Sequence, residues 1–161
     1  MNKLINLFCV VFVAGLVFLS ACGPDDTVPP TTTAQEDAIE NLTQSGTSGV
    51  WTVTSATGPN GDVSADFAGT TLTFTATNFT VANAPTEGNP FEGWQSGTWA
   101  FASQDVENAG SIVLTGNSST VESTISFNAD GSVLTMNFTI AAAGGRVNGI
   151  EGNWTIRFSQ N

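Results

Sequence analysis

Alternation of apolar and polar residues over most of the chain limits the possible fold more than any other feature of the sequence. In the clearest run, Leu134, Met136 and Phe138 alternate with Thr135 and Asn137. Successive side chains of a β-strand point to opposite faces, so each run gives one apolar face and one threonine-rich face. Strands of this kind belong to antiparallel sheets that are covered on one side only. The pattern therefore predicts an all-β domain.

Short turns rich in glycine and asparagine separate the alternating runs. Connections this short join neighbouring antiparallel strands, which predicts a meander. About eight strands would close into a barrel, and a β-sandwich is the alternative. Segment 62–68 is either a strand or an irregular connection. The predicted strands are 50–56, 62–68, 71–76, 79–82, 96–102, 111–115, 121–127, 132–142 and 147–158.

A Gly-x-Trp sequence occurs at the beginning, in the middle and at the end of this β-rich region. The three copies are Gly49-Val50-Trp51, Gly97-Thr98-Trp99 and Gly152-Asn153-Trp154. Trp51 and Trp99 lie near the start of a predicted strand and Trp154 lies within one, and an indole that faces a core buries a large area. We therefore expect Trp51, Trp99 and Trp154 to fill the interior. The alternative is that they line a cavity and stack on a flat ligand.

Residues 33–42 predict one helix ahead of the strands. Thr33 and Glu36 have the Thr-x-x-Glu spacing of a capping box, and Ala38 and Leu42 fall on one helical face. A helix this short is marginal on its own in water. We therefore expect it to dock on the barrel and to cover one end.

The longest connection, residues 84–93, contains Glu87, Phe91 and Glu92 and leads into Trp94. Long loops carry function more often than short ones, so this loop is the first candidate for a contact surface. Phe91 and Trp94 either form an exposed aromatic lip at a barrel mouth or pack the loop onto the domain.

Three pairs of acidic residues are candidates for metal binding or acid–base chemistry. They are Asp62 with Asp66, Glu87 with Glu92, and Asp105 with Glu107. The first pair could offer oxygen ligands to calcium, but it lacks the density of a dedicated calcium loop. The other two have the composition of a glycosidase pair. Acidic residues at the turns of an acidic chain are normally solvated, so we expect surface charges rather than a catalytic site.

The residue types that are missing exclude several kinds of site. The chain has no histidine, which rules out Ser–His and Cys–His catalytic pairs and histidine metal sites. Three Lys and Arg residues against 14 Asp and Glu residues give a net charge of −11, which repels the phosphates of nucleic acids. We therefore expect a protein that is not an enzyme, has no cofactor and no metal, and does not bind nucleic acid.

The first residues resemble the signal peptide of a bacterial lipoprotein. A positive start at Lys3 precedes the apolar segment 4–19, and Leu19-Ser20-Ala21-Cys22 matches a lipobox. The apolar segment is shorter than the roughly 20 residues that span a membrane. An ordinary secretory signal is the alternative. The resemblance implies a signal peptide at 1–21, a lipidated Cys22 and flexible tether at 22–33, and the barrel domain at 34–161.

The lipid on Cys22 would hold the protein to a membrane. Gly23 follows this cysteine, at the position where aspartate retains many lipoproteins at the inner membrane, so we expect the outer membrane of a bacterial cell envelope. The acidic pair Asp25-Asp26 resembles a surface-export signal of lipoproteins in one Gram-negative phylum. Exposure at the cell surface is therefore a further expectation.

A lipobox followed by a β-meander with Gly-x-Trp on its first strand resembles the lipocalin-like lipoproteins of bacteria. The matching residues are Gly49-Val50-Trp51 and the closing strand 152–158. The resemblance implies a calycin-type β-barrel in which Trp51 plugs one end and Arg157 packs across it. Alternation by itself places Arg157 on the face opposite Trp154.

Two functions remain open for the barrel. In the first, the interior is filled and the loops, above all 85–93, contact another envelope protein or a glycan. In the second, which the family resemblance implies, the barrel is a carrier or sensor of a small hydrophobic ligand. Large inward residues oppose a cavity, and small ones favour it if they cluster. The large residues are Phe74, Phe101, Phe127, Met136, Phe138 and Phe158, and the small ones are Ala76, Ser123 and Ala142.

Overall fold

The computed structural model describes residues 32–141 and 150–161. Within these residues the chain forms one helix, nine strands and a 3₁₀ turn. The elements are α1 (Ala34–Thr43), β1 (Ser48–Gly58), β2 (Gly61–Asp62), the 3₁₀ turn (Ser64–Phe67), β3 (Thr71–Thr75), β4 (Asn78–Ala82), β5 (Ser96–Phe101), β6 (Ser111–Gly116), β7 (Thr120–Phe127), β8 (Val133–Ile140) and β9 (Gly152–Gln160). The predicted signal peptide, the predicted lipidation site at Cys22 and nearly all of the predicted tether lie outside the described residues.

Eight of the strands form a closed antiparallel barrel. Consecutive strands from β3 to β9 pair in chain order, and β3 also pairs with β1. The first and last strands then pair with each other, with Trp51 opposite Gln160 and Thr57 opposite Thr155. This pairing confirms the predicted meander barrel and shows that the β-sandwich alternative is wrong. The remaining strand, β2, forms a short hairpin with the end of β1.

Segment 62–68 is an irregular connection rather than a strand. Asp62 ends β2, and the chain then enters the 3₁₀ turn. The Asp62 carboxylate accepts hydrogen bonds from the Ser64 hydroxyl at 2.5 Å and from the Ser64 backbone N–H at 2.9 Å. These two bonds lower the pKa of Asp62 below its ordinary value, and they stabilise a turn in place of a continued strand. The strand interpretation of this segment is therefore wrong.

The alternating apolar residues of the strands line the interior of the barrel. In β8, Leu134, Met136 and Phe138 are buried. Full burial of a side chain of this kind contributes about 1.5–3 kcal/mol relative to exposure. Phe101 and Phe127, also expected inside, are half-buried because they end β5 and β7 at one mouth of the barrel. The period-two pattern therefore predicted the core face of the strands correctly.

The two ends of the barrel are built from different parts of the chain. Helix α1 packs at one end of the barrel, which we call the helix end. This end contains the start of β1 and the ends of β3, β5, β7 and β9. The opposite end, where β1, β4, β6 and β8 finish, is the loop end. It holds the 83–95 connection between β4 and β5. This is the connection that the sequence indicated as a contact surface.

Candidate functional site

Helix α1 closes the helix end of the barrel. Its N-terminus has the predicted capping box, in which the Thr33 hydroxyl accepts a hydrogen bond from the Glu36 N–H at 3.2 Å and the Glu36 carboxylate accepts one from the Thr33 N–H at 2.9 Å. Near its C-terminus, Leu42 is fully buried. The carbonyl oxygen of Leu42 accepts a hydrogen bond from the Trp51 indole N–H at 2.9 Å. The helix therefore covers Trp51, in agreement with the prediction.

Gln35 fixes the first turn of α1 to the connection between β5 and β6. Its side-chain amide donates to the carbonyl oxygens of Ser103, Asp105 and Asn108 at 3.1, 2.9 and 3.1 Å. Its backbone N–H donates to the carbonyl oxygen of Val106 at 3.0 Å. Because an isolated helix of this length is marginal in water, these contacts are part of what keeps it folded.

The packing that the lipocalin resemblance implies for Arg157 is wrong. This residue lies within β9, opposite Thr135 of β8, and its side chain is exposed. Alternation places it on the outer face, whereas Trp51 faces the interior and is fully buried. The groups that contact the Trp51 indole include the Leu42 carbonyl oxygen and the Phe127 ring, whose centre lies 6.1 Å from that of Trp51.

Phe91 and Trp94 close the loop end from the inside. They are 0% and 1% exposed, so the prediction of an exposed aromatic lip is wrong and the alternative, a loop packed by its own aromatic residues, is confirmed. Their ring centres lie 5.0 Å apart, and Trp94 packs edge-on against Phe138 of β8 at 5.2 Å. The Trp94 indole N–H donates to the Pro90 carbonyl oxygen at 2.7 Å. The irregular loop thus supplies core side chains as a strand would.

Close backbone contact with the β6–β7 turn holds this loop in place. The Gly93 carbonyl oxygen accepts hydrogen bonds from the Ser118 N–H at 3.1 Å and from the Ser118 hydroxyl at 3.3 Å. Gly116, the last residue of β6, lies directly against the backbone of Trp94. A Cβ atom at Gly116 would lie 2.6 Å from the Gly93 oxygen, so only glycine permits this approach.

The three Gly-x-Trp tryptophans are core residues in the described structure. Trp51, Trp99 and Trp154 are 0%, 6% and 4% exposed. Each indole N–H donates to a backbone carbonyl oxygen, at distances of 2.7–2.9 Å. Buried tryptophans normally find such a partner. These contacts favour the predicted core role over the stacking of a flat ligand.

The small residues that could have left a cavity, as far as they are described, do not form one. Ser123 is buried, and its hydroxyl donates to the Asn137 carbonyl oxygen at 3.2 Å. Ala76 follows the end of β3 and is exposed. Ala142 lies outside the described residues. Edge-on aromatic pairs such as Phe74 and Trp99, 5.7 Å apart, lie in the interior.

Two adjoining clefts lie at the loop end. The first loop-end cleft has a volume of about 160 Å³ and is lined by, among others, Pro59, Val63, Asp66, Phe67, Glu87 and Trp154. The second loop-end cleft has a volume of about 310 Å³ and is lined by residues including Thr86, Glu87, Asn89, Glu92 and Ile150. Glu87 lines both clefts, so they are neighbours along one surface.

The structure groups the acidic residues of the loop end differently from their order in the sequence. Asp66 and Glu87 line the first cleft, and Glu87 and Glu92 line the second. The sequence predicted the second grouping but had no signal for the first. The 3₁₀ turn and the long loop meet only through tertiary packing, in which the rings of Phe67 and Phe91 are 6.1 Å apart.

The remaining acidic pair, Asp105 and Glu107, lies in the β5–β6 connection at the helix end. The Asp105 carboxylate accepts a hydrogen bond from the Glu107 N–H at 3.1 Å, which is the geometry of a solvated turn. Within residues 32–141 and 150–161, no group of three or more His, Cys, Asp or Glu side chains is placed to hold a metal ion. Of the three acidic pairs, Glu87 and Glu92 line one cleft together. Asp66 instead lines a cleft with Glu87, and Asp105 accepts a hydrogen bond from the backbone of Glu107.

Comparison with protein-family models, with curated proteins and with solved structures found no match to this chain. None of the helices in the described part of the chain is long and apolar enough to cross a membrane. The function proposed for this protein therefore rests on its own residues and their geometry.

Proposed function

We propose that this chain is a membrane-anchored lipoprotein of the bacterial cell envelope, at the outer membrane, whose barrel is a non-catalytic binding or interaction module. The lipobox that ends at Cys22 supports the anchor, because an acyl chain contributes about 0.8 kcal/mol per buried CH₂ to membrane attachment. The observation that carries the binding role is that the chain closes both barrel ends itself, with α1 and with the 83–95 loop. A barrel whose ends are covered by its own chain offers its outer surface to partners.

The architecture also supports a lipocalin-like relationship, which we include in the proposal. Eight antiparallel strands close in chain order, a helix precedes them, and the tryptophan of the first strand, Trp51, is buried beneath that helix. The exposed Arg157 is a departure from that family. In this chain the carbonyl group at the end of a helix takes the place beside the tryptophan.

The 84–93 loop is our proposed contact surface, through its polar residues rather than its aromatic ones. Thr86, Glu87 and Glu92 are exposed, while Phe91 and Trp94 hold the loop from beneath. A loop that is already fixed by buried side chains loses little conformational freedom when it binds. An envelope protein or a glycan is the expected class of partner.

Replacement of Cys22 by serine is expected to abolish attachment of fatty acid, because serine lacks the thiol that carries the lipid. Incorporation of labelled fatty acid in the original host, followed by mass spectrometry of the purified chain, measures this directly. Cys9→Ser is the matched control, since Cys9 lies in the predicted signal peptide and its loss should leave lipidation unchanged. Fatty acid on the Cys22→Ser chain, or an unlipidated wild-type chain, would contradict the proposed anchor.

Native mass spectrometry of the full-length chain separates the interaction module from a carrier of a small hydrophobic ligand. The chain is extracted from its own host in a neutral detergent. We expect the mass of the polypeptide with its covalent acyl chains, because aromatic side chains fill the described interior. An additional apolar mass that leaves on denaturation would identify a carrier or sensor instead.

A further inference from the structure

The first loop-end cleft combines an apolar lining with two exposed carboxylates. Pro59, Val63 and Phe67 line it together with the carboxylate residues Asp66 and Glu87. Both acidic residues are exposed. A ligand that suits these walls needs an apolar stem and a positively charged end. The side chains of lysine and arginine have this composition, since their methylene groups cover apolar surface while the charge stays in water.

The second loop-end cleft extends the same surface and carries a further carboxylate. It shares Glu87 with the first cleft and adds Glu92 beside Thr86 and Asn89. A small amine would satisfy one cleft only. A chain molecule with several cations can place one in each cleft, and a charge-assisted hydrogen bond to a carboxylate is stronger than a neutral one. The pair of clefts therefore fits an extended polycation better than a single small ligand.

Positive charge from the described chain itself does not compete for these carboxylates. Arg157 is the one Lys or Arg among the described residues, and it lies opposite Thr135, near the helix-end start of β8. The whole chain has 14 acidic residues and 3 basic ones, so a basic partner is attracted over a distance set by the ionic strength. Charge complementarity thus selects a basic partner and disfavours nucleic acids and anionic lipid.

We propose that the two loop-end clefts are a docking site for a basic polypeptide segment. One lysine or arginine side chain enters the first cleft, with its stem on Pro59 and Val63 and its charge beside Asp66 and Glu87. A second basic side chain of the same segment lies in the second cleft beside Glu92. This inference rests on the proposed interaction function and names the chemistry of the partner.

Titration with a short peptide of alternating lysine and serine tests the site on the full-length chain in a neutral detergent. The chain has four tryptophans, and their indole N–H signals report on separate places. Trp154 lines the first cleft, whereas Trp51 lies beneath α1. We expect the Trp154 indole signal, assigned with Trp154→Phe, to shift on titration while that of Trp51 stays constant. An unchanged Trp154 signal at saturation would overturn the proposal.

Paired charge variants separate this site from general attraction to an acidic protein. Asp66→Asn with Glu87→Gln is expected to weaken binding of the peptide by about tenfold, as for two surface ion pairs. The matched control is Asp37→Asn with Glu107→Gln, which removes the same charge from exposed residues at the helix end and should change the affinity less than about twofold. Equal weakening by both variants would mean diffuse attraction and would overturn the site.

One further outcome tests whether the basic side chain in the first cleft comes from the protein itself, and another separates the docking site from the membrane anchor. Arg146 belongs to residues 142–149, which lie outside the described structure, and it is the other arginine of the chain. Peptide binding by Arg146→Gln but not by the wild-type chain would show that the protein fills its own cleft, and would overturn an external partner. Peptide binding without lipid on Cys22 would support the docking site while contradicting the membrane anchor, so the two proposals fail independently.

Discussion

Replacement of Trp51 by alanine is expected to lower the free energy of unfolding by about 4 kcal/mol. The indole is fully buried, its N–H donates to the Leu42 carbonyl oxygen at 2.9 Å, and its ring lies 6.1 Å from that of Phe127. The change leaves a cavity beneath α1 and removes one of the hydrogen bonds that join the helix to the barrel. Denaturant unfolding followed by circular dichroism measures the loss. A folded domain is stable by only about 5–15 kcal/mol, so the effect is large.

Trp51→Phe tests the same contact if the alanine variant fails to fold. Phenylalanine retains most of the apolar contact but leaves the Leu42 carbonyl oxygen without the indole donor, which is expected to cost about 1–3 kcal/mol. Val106→Ala is the surface control, because Val106 is exposed and its truncation should change stability by less than about 0.5 kcal/mol. A Trp51→Ala variant as stable as Val106→Ala would mean that the helix end is not packed as described.

Alternation predicted the barrel well because it is a local property that the closed sheet preserves. The face of each strand follows from its own residues, so Leu134, Met136 and Phe138 could be placed inside without knowledge of their neighbours. The same local rule placed Arg157 outside, and it was right where the family resemblance was wrong. The capping box of Thr33 and Glu36 is equally local. Features of this kind need no tertiary information.

The loop end was harder to predict because its backbone is irregular. Period-two alternation does not extend into residues 84–93, so the sequence alone could not show whether Phe91 and Trp94 point inward. Tertiary contacts decide this, above all the edge-on packing of Trp94 on Phe138. The approach of Asp66 to Glu87 across one cleft also depends on where the 3₁₀ turn packs. The sequence therefore predicted that Glu87 and Glu92 lie together but could not predict that Asp66 joins Glu87 in the first cleft.

The Gly-x-Trp motif shows how one sequence pattern can have several physical causes. A Cβ atom at Gly49 would overlap the Leu42 carbonyl oxygen, and one at Gly97 would overlap the Thr115 carbonyl oxygen. Gly152 instead has a φ of 128°, which side chains rarely tolerate. The repeat correctly predicted three strands with buried tryptophans. The reason for each glycine lies in a neighbour that is distant along the chain or in the backbone itself.

Replacement of Gly116 by alanine is expected to destabilise the protein by about 2–3 kcal/mol, as for an overpacked core. The new Cβ would overlap the Cα atom of Trp94 and lie 2.6 Å from the Gly93 oxygen. Both neighbours are backbone atoms and cannot rotate away, so the 83–95 loop has to lift from β6. Trp94 then leaves the core, and its fluorescence is expected to shift to the red as water reaches the indole.

Gly110→Ala is the matched control for this substitution. The nearest atom to a Cβ at Gly110 is the Asn108 side-chain oxygen at 3.7 Å, which is ordinary contact, so its cost should stay below about 0.5 kcal/mol. Urea unfolding and tryptophan emission, recorded together, compare the two variants. If Gly116→Ala unfolds at the same urea concentration as Gly110→Ala with unchanged emission, the loop does not rest on β6.

Lifting the loop also moves Glu87 and Glu92, so Gly116→Ala should weaken peptide binding at the loop end more than Gly110→Ala does.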